Sequence, residues 1–141
     1  MSYSLTIKGT ETLTYKGEII SSAYTTIDTP PSSGARSTNV IITLYITGKL
    51  LADSGNSPTS KLFEWSKVPA TSPDCYRDVT VRVLSDATIV DGQPYRVINV
   101  PNAFVVNYSE KYSEKIGFAE FALTLRQKAD KVNDVNLCDC C

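Results

Sequence analysis

The stretch "NAFVVNYSEKYSEKIGFAEFALTLRQK", residues 102–128, reads as two long strands around a short charged turn. In its first half Phe104, Val106, Tyr108 and Tyr112 alternate with Val105, Asn107, Ser109 and Lys111. In its second half Phe121, Leu123 and Leu125 alternate with Glu120, Ala122, Thr124 and Arg126. Successive side chains of a strand point to opposite faces, so the spacing predicts a hairpin with one oily and one small, polar face. The oily set belongs in a core. Each buried Phe or Leu contributes about 1.5–3 kcal/mol, which fixes the register. The other face suits a broad wet surface, either outer skin or the wall of a water-filled channel.

A period of two governs most of the remaining chain. "SYSLTIK" gives a first strand over residues 2–8. "TLTYKGEIISSAYTTID" gives a short strand, a turn at Lys16-Gly17 and a longer strand to Ile27. The run from Asp28 through Thr29, Pro30, Pro31, Ser32, Ser33, Gly34, Ala35 and Arg36 to Ser37 is a loop by composition. Its prolines, glycine and hydroxyl residues are turn formers that cannot pack a core. A strand resumes at Thr38–Thr47, with Val40, Ile42, Leu44 and Ile46 on one face and Thr43, Tyr45 and Thr47 on the other.

The period then breaks. Ser57 before Pro58 is a helix-start signal, and Leu62, Phe63, Trp65 and Val68 follow at roughly helical spacing. One short helix is expected over residues 58–67, ending before Pro69, with Trp65 as its core anchor. Val79, Val81 and Val83 share a face of the next strand. A short strand, an Asp91-Gly92 turn signal and a strand over Tyr95–Val100 lead into the hairpin. The end of the chain, 129–141, is polar and expected to be loose. The fold class is therefore mainly β: a small antiparallel barrel or sandwich with one flanking helix, carried by residues 1–128.

A chain of 141 residues with 42% hydrophobic and 21% charged residues fits one globular domain. The net charge of −1 gives no basic footprint for nucleic acid. No apolar run approaches the ~20 residues of a membrane helix. The opening residues lack the pattern of a secretion signal, so synthesis in the cytoplasm is expected.

Chemistry is hard to assemble from these residues. Histidine is absent, which removes Ser-His-Asp and Cys-His arrangements. Cys75 then reads as an inert thiol. Glu110, Glu114, Glu120, Asp74 and Asp78 are scattered carboxylates with no cleft specified for them. Cys138, Cys140 and Cys141 lack a second ligand cluster for a metal. No phosphate-binding glycine loop occurs. No enzymatic activity, cofactor or metal is expected.

The order of these elements resembles the tube-forming family of contractile injection machines: the Hcp protein of type VI secretion, phage tail-tube proteins and the tube proteins of extracellular injection systems. "SLTIKG" is similar to the family's opening strand. Residues 17–54 resemble its two long strands joined by an extended loop. "SPTSKLFEWSKV" stands where the family has its helix, and residues 76–86 and 95–128 resemble its closing strands. The "NLCDCC" end departs from the pattern. The resemblance implies a β-barrel flanked by one helix, six-membered rings that stack into a hollow tube, and an Asp28–Ser37 loop that reaches the neighbouring ring. It implies partners in copies of itself, in sheath, baseplate or spike proteins and in cargo, and a tube that is released or expelled. Candidate lumen-facing residues are Thr43, Tyr45, Thr47, Asn107, Ser109, Lys111, Thr124 and Arg126. The alternative is a monomeric barrel or sandwich that binds glycan or peptide, with Tyr15, Tyr24 and Tyr45 as an exposed aromatic patch.

Overall fold

The computed structural model describes residues 2–16, 19–28, 41–50, 59–84, 96–113 and 119–128, and the backbone of 136–139. Most of Asp28–Ser37, the Asp91-Gly92 turn, Glu114, Cys140 and Cys141 lie outside these.

The chain builds one antiparallel sheet. Its strands are β1 (Ser2–Lys8), β2 (Thr12–Tyr15), β3 (Ile20–Asp28), β4 (Ile41–Leu50), β5 (Arg77–Leu84), β6 (Arg96–Tyr112), β7 (Ala119–Gln127) and β8 (Asn136–Asp139). The order across the sheet is β2-β1-β5-β6-β7-β4-β3, and β8 also pairs with β6. The sheet curls until β1 and β3 approach each other. No pairing joins them among the described residues, so the expected barrel is a curled sheet with an unzipped seam.

The core lies inside the curl. Leu5, Ile7, Tyr15, Leu44, Ile46, Val79, Val81, Val100, Phe121, Leu123 and Leu125 supply its strand side chains, all from the inward set of each alternating strand. Helix α1 (Ser60–Ser66) is shorter than expected from sequence. Thr59 stands at its N-cap without a side-chain capping bond. Leu62 and Trp65, three residues apart, bury on the core. Phe63 points largely outward and meets Tyr108 edge-on at 6.2 Å.

Trp65 is held at both ends of its ring system. Its Nε1 donates to the Cys75 carbonyl oxygen at 3.0 Å. The Arg77 guanidinium lies 5.1 Å over the ring and pairs with Asp74 at 2.7 Å. A short 3-10 turn, Pro73–Cys75, places both Cys75 and Asp74 for this.

Strand β6 departs most from the sequence reading. The separate strand expected over Tyr95–Val100 and the first arm of the hairpin are one strand of 17 residues. It is irregular at Pro101-Asn102, where Asn102 has φ 56° and the register against β5 shifts. A second shift falls between Val105 and Asn107 against β7. Val106 is the extra residue, and such a bulge changes which side chains face inward. Ala103 and Val105 therefore join the core side together with Tyr108, while Val106 is 41% exposed. The expectation that Phe104 and Val106 share the core face with Tyr108 fails at this bulge. Phe104 instead meets Tyr76 edge-on at 6.0 Å, and Tyr112 is exposed beyond the core.

The C-terminal stretch is not wholly loose. β8 pairs with β6, Asn136 opposite Asn99 and Cys138 opposite Val97.

Candidate functional site

The outer face of the four-strand half β6-β7-β4-β3 assembles the polar residues into rows. In one row Asn107, Thr124, Tyr45 and Tyr24 are successive Cα partners. The next row is Ser109, Ala122, Thr47 and Ser22. Beyond it Lys111, Glu120 and Lys49 alternate in charge. On the other side Phe104, Arg126, Thr43 and Thr26 complete the face.

Asn107, Ser109, Lys111, Thr47 and Arg126 are exposed, and Thr124 and Tyr45 are half-buried. Thr43 differs, being only 2% exposed. It is a short side chain standing beside the much longer Arg126, and it offers water almost no surface. The face is cross-braced: Ser22 and Thr47 share a hydroxyl–hydroxyl bond, and Tyr24 and Tyr45 stack at 4.5 Å with 14° between their planes. An open depression of about 300 Å³ lies over Ser21, Thr47, Ser109, Lys111, Glu120 and Ala122.

The polar rows continue on the other half. Thr14, Thr6, Thr80 and Asn99 are successive partners across β2, β1, β5 and β6. Asn99 Nδ2 donates to Asp78 Oδ1 at 2.6 Å and to Thr80 Oγ1 at 2.9 Å. The sequence singled out the hairpin but not this second set, although alternation in "SLTIK" and "DVTVRV" carries the same signal.

Every described carboxylate considered for chemistry has a place in this scaffold. Asp74 holds Arg77, and Asp78 accepts from Asn99. Glu110 accepts from the hydroxyls of Tyr108 and Tyr112. Burial is the main cause that raises the Tyr108 phenol well above its ordinary value, with the Glu110 bond second. For Tyr112 that bond comes first. Glu120 stands in the charged row between Lys111 and Lys49. Cys75 is a half-buried free thiol. No cluster of His, Cys, Asp and Glu suited to a metal occurs among the described residues. Of the aromatic patch, Tyr15 is fully buried, and only Tyr24 and Tyr45 lie on the polar face.

No protein-family profile matches the sequence, and no curated protein is similar to it. Solved structures do match, over nearly the whole chain. Hcp1 from Flavobacterium johnsoniae is 14% identical, covers 90% of each chain and superposes with a TM-score of 0.60. A chain of the anti-feeding prophage baseplate, solved with six-fold symmetrisation, is 12% identical and covers 97% of this chain and 92% of its own, with a TM-score of 0.57. A chain of the tube-terminating cap of the same prophage is 13% identical, covers 96% and 87%, and has a TM-score of 0.55. The chain has the fold of Hcp and of tube-associated proteins of contractile injection systems, as the order of its elements implied.

Proposed function

We propose that this protein is a structural subunit of the inner tube of a contractile injection machine, acting by self-assembly and not by catalysis. The observation that carries the reading is the match of fold over at least 90% of the chain to proteins of such machines. Two features of the chain support it. Among the described residues, strands β2 and β3 form the edges of the sheet, and β3 offers nine residues without a proline. Such edges are templates for pairing with another copy. The outer face is wet, broad and poor in chemistry, as the wall of a hollow channel requires.

In this reading copies close into rings, six by analogy with the symmetrised prophage assembly, and the rings stack. Tyr45, Thr47, Asn107, Ser109, Lys111, Thr124 and Arg126 line the lumen. The loop Asp28–Ser37 reaches the next ring. Sheath, baseplate or spike proteins of the same machine are partners, cargo occupies the lumen, and the tube leaves the cell when the machine fires.

Negative-stain electron microscopy of the reduced protein at several concentrations tests this. Rings or stacked hollow tubes are expected. Single copies at every concentration, with or without a baseplate to nucleate assembly, overturn it and move the weight to a glycan- or peptide-binding module that uses Tyr24 and Tyr45. Replacing Asp28–Ser37 with a short Gly/Ser turn is expected to spare rings and shorten stacks; unchanged stacks remove that role from the loop.

A further inference from the structure

Two strands share one edge of β6. β7 covers it from Tyr112 to Ala103, and β8 covers it from Asn99 to Arg96. Between the two lie Pro101, which has no N–H to offer a ladder, and Asn102 with its left-handed backbone. The two ladders are therefore separate, and β8 leaves without breaking any pairing of β7.

β8 has four residues against the nine of β7. The net gain from each hydrogen bond and the backbone entropy lost in fixing each residue are of similar size and opposite sign. Pairing this short sits near balance. The connection does not force it. Lys128 is tied to Asn102 through its N–H, 2.9 Å from the carbonyl oxygen. From there residues 129–135 lead to Asn136. That stretch spans up to about 28 Å when extended, whereas the part of β6 to be passed, Asn102 to Asn99, is only about 10 Å long.

We propose that β8 is an exchangeable strand: in assembled copies, Asn136–Asp139 of one copy pairs with the Arg96–Asn99 edge of another. This deepens the tube reading and rests on it, since assembly is what brings a second β6 edge within reach. The acceptor backbone is the same in both arrangements, as in other strand swaps. An isolated copy keeps its tail at home, because its own edge is present at an effective concentration on the order of millimolar. In an assembly a neighbour's edge competes on similar terms, and each exchanged tail then straddles two subunits.

The pairing of Val97 with Cys138 provides the test. Two full-length chains are made with Cys75→Ser, Cys140→Ser and Cys141→Ser. One carries a tag, Val97→Cys and Cys138→Ser; the other keeps Val97 and Cys138. They are mixed, assembled, treated with a short bis-maleimide and imaged in the same sample. The expected product is a tagged–untagged pair, lost when the second chain also carries Cys138→Ser and lost on dilution to single copies. Rings without that pair overturn the exchange and leave the tube reading intact. The pair without rings overturns the tube reading and leaves the exchange standing. Neither rings nor pair overturns both.

Discussion

The ring of Phe121 occupies the space that a side chain at position 48 would need. A Cβ built on Gly48 falls 2.5 Å from Phe121 Cε1 and 2.6 Å from Cζ, and it also collides with the backbone oxygen of Ile19. The Lys49 N–H reaches that same oxygen at 2.7 Å, which holds the oxygen in place, and Phe121 is packed in the core. Gly48→Ala is expected to destabilise the fold by about 1–3 kcal/mol, the usual cost of overpacking. The urea unfolding midpoint measures it, and an unchanged midpoint contradicts the close approach.

Trp65 joins the helix to the 3-10 turn through one hydrogen bond and one cation. Trp65→Phe keeps most of the apolar volume but strands the Cys75 oxygen, and is expected to cost about 1–3 kcal/mol. Trp65→Ala removes the anchor itself, at about 3–5 kcal/mol. Thermal unfolding followed by far-UV circular dichroism ranks the two; an unchanged midpoint in Trp65→Phe means that the hydrogen bond carries no separate weight.

Alkali probes the buried phenols. Burial raises Tyr15 and Tyr108 well above the ordinary phenol value of 10.0. The folded chain thus keeps protons that the unfolded chain releases. Their contribution to stability is complete below pH 10.0 and is lost progressively as the pH rises past it. Unfolding free energy measured across this range should fall as the pH rises, and Tyr108→Phe should make the fall shallower. A flat profile above pH 10.0 refutes the assignment.

Ile27 is 65% exposed on the edge strand β3. Ile27→Lys leaves packing nearly untouched, so the stability of the single chain should change by less than about 0.5 kcal/mol. A charge on an edge strand disfavours pairing with another copy. Light scattering after gel filtration should show the assembled fraction shifting toward single copies. An unaltered size distribution shows that β3 does not carry the contact between copies.

The sequence exposed the pattern of the fold more fully than its interruptions. Alternation in β4, β5 and β7 put Ile46, Val81 and Leu123 each on one face with its apolar neighbours, and they are buried. A bulge breaks alternation by one residue, and in "AFVVNYS" both phases offer apolar side chains, so the switch at Val106 has no signature in composition. The same degeneracy concealed the unity of β6, because Pro101 and Asn102 look like an end of strand while the backbone continues through them. Thr43 illustrates a different limit: its place on the polar face follows from period two, but its near-complete burial beside the longer Arg126 of β7 does not. The four-residue strand β8 has too few residues to display any period at all.

The length of β6 has a mechanical meaning. It is paired along its course with β5, β7 and β8, and all these partners run antiparallel to it. A pull along its axis loads those ladders together, in shear, whereas a pull across the sheet would open them one bond at a time. The weakest direction is the seam between β1 and β3, where no ladder among the described residues resists parting.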